Sequence, residues 1–178
     1  MTSPSSLRSS PRGSGLLLIV PTLLALFGVV AALQVSGSGS EGALGRPAPA
    51  LPTEAIKAPR VSVADLHGEP AAINFWASWC TPCRREAPEM ERLHRLRGVR
   101  GRVVGVNWSD ELSAARSFVR DHHLTFPNLR DADGGVGRGY GIVGLPTTVI
   151  LDSRGRIAAL LPGPQTVDSI RDAFESTR

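Results

Sequence analysis

From Gly15 to Leu33 the chain reads GLLLIVPTLLALFGVVAAL, a run without a single charge. At about 1.5 Å per helical residue it spans roughly 28 Å, close to the ~30 Å hydrocarbon thickness of a bilayer, which predicts a transmembrane anchor or a signal segment. The run is longer than a usual secretory apolar region and no small-x-small site closes it, which favours an uncleaved anchor. Pro21 lies near its start, where the freed backbone groups can find Thr22 or water. Residues 1–14, MTSPSSLRSSPRGS, are rich in Ser and Pro and cannot bury a core, so they are expected to be disordered. Arg8 and Arg12 precede the apolar run and no stronger basic cluster follows soon after it, which keeps residues 1–14 cytoplasmic and sends the rest of the chain out of the cytoplasm. A Gly/Ser linker over 34–45, with a reach of roughly 20 Å, then leads to a domain over 46–178.

Within that domain the hydrophobic period alternates between two values. After the Pro-rich RPAPALP, VSVADL (61–66) alternates like a half-buried strand and HGEP reads as its turn. AAINFW (71–76) is continuously apolar and of strand length, which suits a strand covered on both faces. In TPCRREAPEMERLHRLRG (81–98), Ala87, Met90, Leu93 and Leu96 recur at helical spacing, with Pro82 in the first turn and Gly98 as the stop. GRVVGVNW (101–108) reads as a second strand and SDELSAARSFVRDHH (109–123) as a helix capped by Ser109. Residues 124–142 are loop-rich, with room for a short strand and a helical turn. TTVILD and RIAALL form two strands around the hairpin signal SRG, and TVDSIRDAFEST is a final helix. The order βαβα followed by ββα predicts an α/β domain with a mixed central sheet and helices on both faces.

Composition changes this picture little. Across 178 residues the net charge is +4, from 20 Lys and Arg against 16 Asp and Glu. The arginines are scattered among acids and apolar positions rather than gathered in a stripe with aromatics, which argues against nucleic acid and for a solvated helix face. DADGGVGRGYG (131–141) has glycines and acids but neither the context of a phosphate loop nor the spacing of a calcium loop, and reads as a loop. Phe75, Trp76 and Trp108 read as core.

The chemistry concentrates in NFWASWCTPCRREAP (74–88), which holds the chain's two cysteines, Cys80 and Cys83. As a staple they would close a loop of four residues, worth roughly 2 kcal/mol against about 4.7 for a hundred-residue loop. As a metal clip they supply two of the four ligands that structural zinc needs, and His67, His94, His122 and His123 would have to converge on them. A soft-metal carrier, delivering or storing copper through the two sulfurs, remains a possible use from a different class. Redox exchange needs what is present. A cysteine at the first turn of a helix has its thiolate stabilised by orphan N–H groups, and a second cysteine one turn on can resolve the mixed disulfide. Cys80 fits the first role, and is expected to be the exposed sulfur; Cys83 fits the second.

This segment resembles the active-site stretch of the thioredoxin superfamily, with Trp79 before the first cysteine, Pro82 before the second and Pro88 five residues after it. The resemblance covers about 130 residues, 46–178, and implies a thioredoxin-like fold behind the membrane segment. GLPTTVILD resembles the loop whose cis-proline faces the cysteines, which makes Pro146 that proline. Such a proline leaves the backbone of Leu145 free to pair with an extended substrate peptide, with side-chain preference coming from Trp79 and Leu145. The apolar leader, the wording around the cysteines and the acid three residues after the second one, Glu86, resemble extracytoplasmic proteins of the TlpA/ResA/DsbE type. Cytoplasmic thioredoxin carries an aspartate six residues before its first cysteine; this chain has Asn74 there, which cannot accept a proton. The resemblance therefore implies Glu86 as the group that takes the proton from Cys83, with partial burial raising its pKa; the alternative is an exposed carboxylate paired with Arg85 or another basic neighbour.

No histidine sits between the cysteines to stabilise a strongly oxidising thiolate, which favours a reductase over a disulfide-forming enzyme of the same fold. The resemblance implies a membrane-tethered, extracytoplasmic enzyme with no cofactor or metal beyond its own Cys80–Cys83 disulfide. The implied client is an apocytochrome c haem-attachment site, with electrons from a membrane protein of the CcdA/DsbD type.

Overall fold

The computed structural model describes residues 41–177. The expected disordered terminus, the apolar span 15–33 and the linker up to residue 40 lie outside them. Among the described residues no helix is long and apolar enough to cross a membrane. The last residues assigned to the linker belong to the domain instead. Glu41–Ala43 forms a 3₁₀ turn, Ala43 is buried, and the Gly45 N–H donates to the Ile157 carbonyl at 2.8 Å.

Among the described residues six strands form one sheet: β1 Glu54–Lys57, β2 Ala71–Trp76, β3 Val103–Trp108, β4 Asn128–Asp131, β5 Thr147–Leu151 and β6 Ile157–Pro162. Their order is β1-β4-β3-β2-β5-β6. β2, β3 and β4 run parallel, while β1, β5 and β6 join antiparallel. The expected mixed sheet is therefore present, and its two central strands come from the two apolar runs 71–76 and 103–108. The helices are α1 Thr81–Arg95, α2 Leu112–Asp121, α3 Gly135–Gly139 and α4 Val167–Glu175.

Side chains of a strand alternate between faces, so β2 divides its residues between two cores. Ala72 and Trp76 pack in one cluster with Met90 and Leu93 of α1, Phe118 of α2, and Ile170 and Phe174 of α4. Ala71, Ile73 and Phe75 pack in the other with Leu66, Tyr140 and Leu151. Every residue of β2 is buried, the amide Asn74 included, in keeping with a strand covered on both faces. The second face carries the short α3, whose Val136 packs on it, together with the segment leading into β1.

Two sequence expectations fail in the details. Residues 61–66 are not a strand. The Asp65 carboxylate accepts from both the N–H and the hydroxyl of Ser62, which folds the segment into the 3₁₀ turn Ala64–Leu66 and burns its strand-like alternation on one turn. The edge strand is instead Glu54–Lys57, four residues, EAIK, too short for an apolar period to announce it. Ser109 does not cap α2 either. It sits at φ 49°, and the helix begins after Glu111. In 131–141 the Asp131 carboxylate accepts from the N–H groups of Val136 and Gly137, and the short helical turn expected within 124–142 forms there as α3, inside the stretch read as a loop.

One close approach locks the central strands. The Trp76 indole reaches from β2 across Gly105 of β3 and donates to Asn128 Oδ1 on β4 at 2.9 Å. A Cβ at Gly105 would lie 2.0 Å from that oxygen and 2.9 Å from Trp76 Nε1. Glycine is needed here for space rather than for backbone freedom.

Candidate active site

β2 ends at Trp76, and the chain turns through Ala77, Ser78 and Trp79 into α1, whose N-cap is Cys80. Parallel strands carry their sites beyond their carboxyl ends, and this turn lies there on the central strand of the sheet. Pro82 occupies the first turn of α1, where its missing N–H costs nothing. Cys80 and Cys83 form a disulfide. Cys80 Sγ accepts the Cys83 N–H at 3.2 Å, so the first sulfur meets one of the orphan donors of the helix start.

Cys80 was expected to be exposed, and in this oxidised state it is not: it is 4% exposed and Cys83 2%. The four-residue ring folds the sulfurs onto the first turn of α1, and the half-buried Leu145 packs on the same apolar cluster. The large apolar side chains left in solvent nearby are Trp79, 58% exposed, and Val143, 86% exposed.

The 143–146 loop meets the disulfide end because β5 is antiparallel to β2. Thr147, the first residue of β5, pairs with Phe75 near the end of β2. The Leu145–Pro146 peptide is cis, as the resemblance implied, and Pro146 is buried. The backbone N–H and C=O of Leu145 have no partner among the described residues.

Glu86 is one turn beyond Cys83 on the same helix face. It is 2% exposed and forms no ion pair among the described residues, which removes the alternative of a surface pair with Arg85. Its Oε2 accepts from Asn74 Nδ2 at 2.9 Å and its Oε1 from the Gln165 N–H at 2.8 Å. Asn74 faces the same cluster as Ala72 and Trp76, and its amide also donates to Thr148 Oγ1 at 3.0 Å. Burial pushes the Glu86 pKa up to about 7, against the pull of these two hydrogen bonds.

This shift has a definite effect on stability. An unfolded glutamate releases its proton near pH 4.5, whereas folded Glu86 keeps it to about 7. Between those values the folded state binds the extra proton, so stability falls as pH rises through that window, by on the order of 3 kcal/mol for this group. Glu86→Gln should lose that slope. Denaturant unfolding of both chains at pH 5 and pH 8 checks it; parallel pH profiles would contradict the burial of an ionisable group here.

Sequence reasoning missed three participants. Asp110 lies in a Ser-Asp-Glu run that reads as a helix start, yet its carboxylate accepts from the Ser78 N–H at 2.6 Å and the Ser78 hydroxyl at 2.9 Å. Gln165 acts through its backbone, which no side-chain pattern reveals. Val143 carries no signal beyond its nearness to Pro146. Trp108, read as core, is held by its Nε1 to the Gly134 carbonyl at 3.0 Å, and packs over Gly137. Among the described residues no three of His, Cys, Asp and Glu gather as a metal would need.

Residues 44–160 match the AhpC/TSA family. The thioredoxin-like protein YneN of Bacillus subtilis is 35% identical over 125 residues, 68% of this chain and 73% of its own length. The thiol:disulfide interchange protein DsbE of Pseudomonas aeruginosa is 35% identical over 123 residues, 67% of each chain. Among solved structures, a DsbF homologue from Corynebacterium diphtheriae superposes with a TM-score of 0.67 at 30% identity, covering 79% of this chain and 95% of the other.

Proposed function

The chain belongs to the AhpC/TSA family, with a thioredoxin-like fold, and from its likeness to thiol:disulfide interchange proteins and its uncharged run 15–33 we propose that it is a thiol-disulfide oxidoreductase that reduces protein disulfides outside the cytoplasm, tethered by that run. The observation that carries this reading is a Cys80–Cys83 disulfide at the start of α1 with a buried carboxyl of pKa about 7 one turn away.

In the reduced enzyme the Cys80 thiolate, stabilised by the Cys83 N–H and the helix start, attacks a sulfur of the client disulfide. A mixed disulfide forms and the first client sulfur leaves as thiolate. Cys83 then gives its proton to the Glu86 carboxylate and attacks Cys80 Sγ. The second client sulfur leaves, the client gains two electrons, and the Cys80–Cys83 bond closes. The described state is this product, which a dithiol donor must reduce again. The exposed Trp79 and Val143, with the free backbone of Leu145, offer an apolar seat and a short strand edge to an extended client peptide. The client proposed is an apocytochrome c haem-attachment site, the donor a membrane protein of the CcdA/DsbD type, and the disulfide serves as the enzyme's own redox group.

Two measurements test this reading. A reductase should have a Cys80/Cys83 potential below about −200 mV, and a value well above about −180 mV would make the enzyme a disulfide former. The rate of the resolving step should rise with an inflection near pH 7 as Glu86 ionises, and Glu86→Gln should lose that inflection. An identical profile in the variant would exclude Glu86 as the base.

A further inference from the structure

Trp79 presents a largely exposed indole beside the disulfide, and among the described residues the one hydrogen bond on that ring is weak. Its Nε1–H reaches the Ser109 carbonyl at 3.4 Å, long for a hydrogen bond. The firm hold is on the residue before it. Every backbone polar group of Ser78 and its hydroxyl are engaged: the N–H donates to Asp110 Oδ2 and the hydroxyl to Asp110 Oδ1, while the carbonyl accepts from Arg84 Nε at 3.1 Å and Nη2 at 2.7 Å.

Asp110 in turn is saturated by neutral donors. Besides the two groups of Ser78, it accepts from Asn107 Nδ2 at 2.8 Å and from the Glu111 N–H at 2.8 Å. No basic side chain pairs with it among the described residues. One carboxylate therefore binds together the end of β3, the start of α2 and the loop that carries Trp79, through charge-assisted hydrogen bonds. Ser109 adopts left-handed backbone, φ 49°, which is uncommon for a residue with a side chain. That turn brings its own carbonyl to the indole while the next residue's carboxylate meets Ser78. Left-handed backbone kept where its carbonyl meets an exposed indole points to a positioning role.

We infer that Asp110 is a positioning residue that acts through Ser78 and the Ser109 carbonyl to hold the Trp79 indole where a client peptide docks. This rests on the oxidoreductase reading above. A helix-capping role for Asp110 alone would leave docking unaffected, and the two are separable.

With a disulfide-bonded peptide as substrate, Asp110→Asn should raise KM about tenfold with kcat within about twofold, because the amide presents a donor where two donors already converge. Ser78→Ala, which removes a single bond, should raise KM about two- to threefold. In a Trp79→Ala background Asp110→Asn should add nothing further, since two changes acting through one group do not add. A tenfold rise that persists in that background, or a KM unmoved in both single variants, overturns the inference. A readout independent of turnover is the fluorescence anisotropy of Trp79, taken as the difference between the parent chain and Trp79→Phe. It should fall in Asp110→Asn, and an unchanged value overturns the inference even in a chain that reduces nothing. Failure of the unsubstituted enzyme to reduce the peptide would strike the oxidoreductase reading instead.

Discussion

Serine in place of Cys80 should abolish disulfide exchange, with a loss of roughly a thousandfold or more, because a hydroxyl at this pH supplies no anion to attack sulfur. The position leaves no substitute. Cys80 is the N-cap of α1 and its sulfur meets the Cys83 N–H, while the partner sulfur sits one turn inside the helix. Cys83→Ser should behave differently. The first attack survives and the second cannot occur, so the enzyme should accumulate as a mixed disulfide with its client, visible as a reducible mass increase. Turnover in Cys80→Ser, or no trapped adduct with Cys83→Ser, would reverse the assignment of the two sulfurs.

Gly105→Ala should cost about 2 to 6 kcal/mol of stability, a loss large for one methyl group. Overpacking a well-filled core costs about 1–3 kcal/mol, and leaving a buried donor and acceptor unpaired costs about 1–3 more. Both apply. The added carbon would press on Asn128 Oδ1 and on the Trp76 indole nitrogen, which hydrogen-bond each other across the strand. Neither can retreat, since Asn128 is 0% exposed and also donates to the Phe126 carbonyl, and Trp76 stacks on Phe118. Denaturant unfolding measures the loss, and a cost under about 1 kcal/mol would show that the indole has another place to go.

Much of this architecture could be read from the chain before any coordinates, for a physical reason that differs by element. β2 and β3 are buried on both faces, so their sequences are apolar apart from Asn74 and Asn107. The turn into α1 announces itself because a CxxC with proline at the first helical turn has few structural uses. What escaped notice depends on contacts between distant residues. β1 is a short edge strand, so burial places little demand on its sequence. Residues 61–66 alternate as a strand would, yet a local contest between the Asp65 side chain and the sheet goes to the side chain. The burial of Cys80 depends on a cluster assembled from distant parts of the chain, among them Phe118, Ile150 and Leu145. Glu86 was legible as an acid one turn from Cys83; its seal by Gln165, 79 positions along the chain, was not.

The way the chain joins its domain has a practical side. The Arg46 carbonyl accepts from the Ile157 N–H, the Ala48 N–H donates to the Gly155 carbonyl, and Pro47 bridges to Arg156. These residues flank the hairpin between β5 and β6, a full strand length, roughly 15 Å, from Thr147 and the sulfurs beyond it. A purification tag, a fluorophore or an immobilising resin coupled at residue 41 would thus be fastened to the blunt pole of the domain, leaving its reactive pole open to large clients.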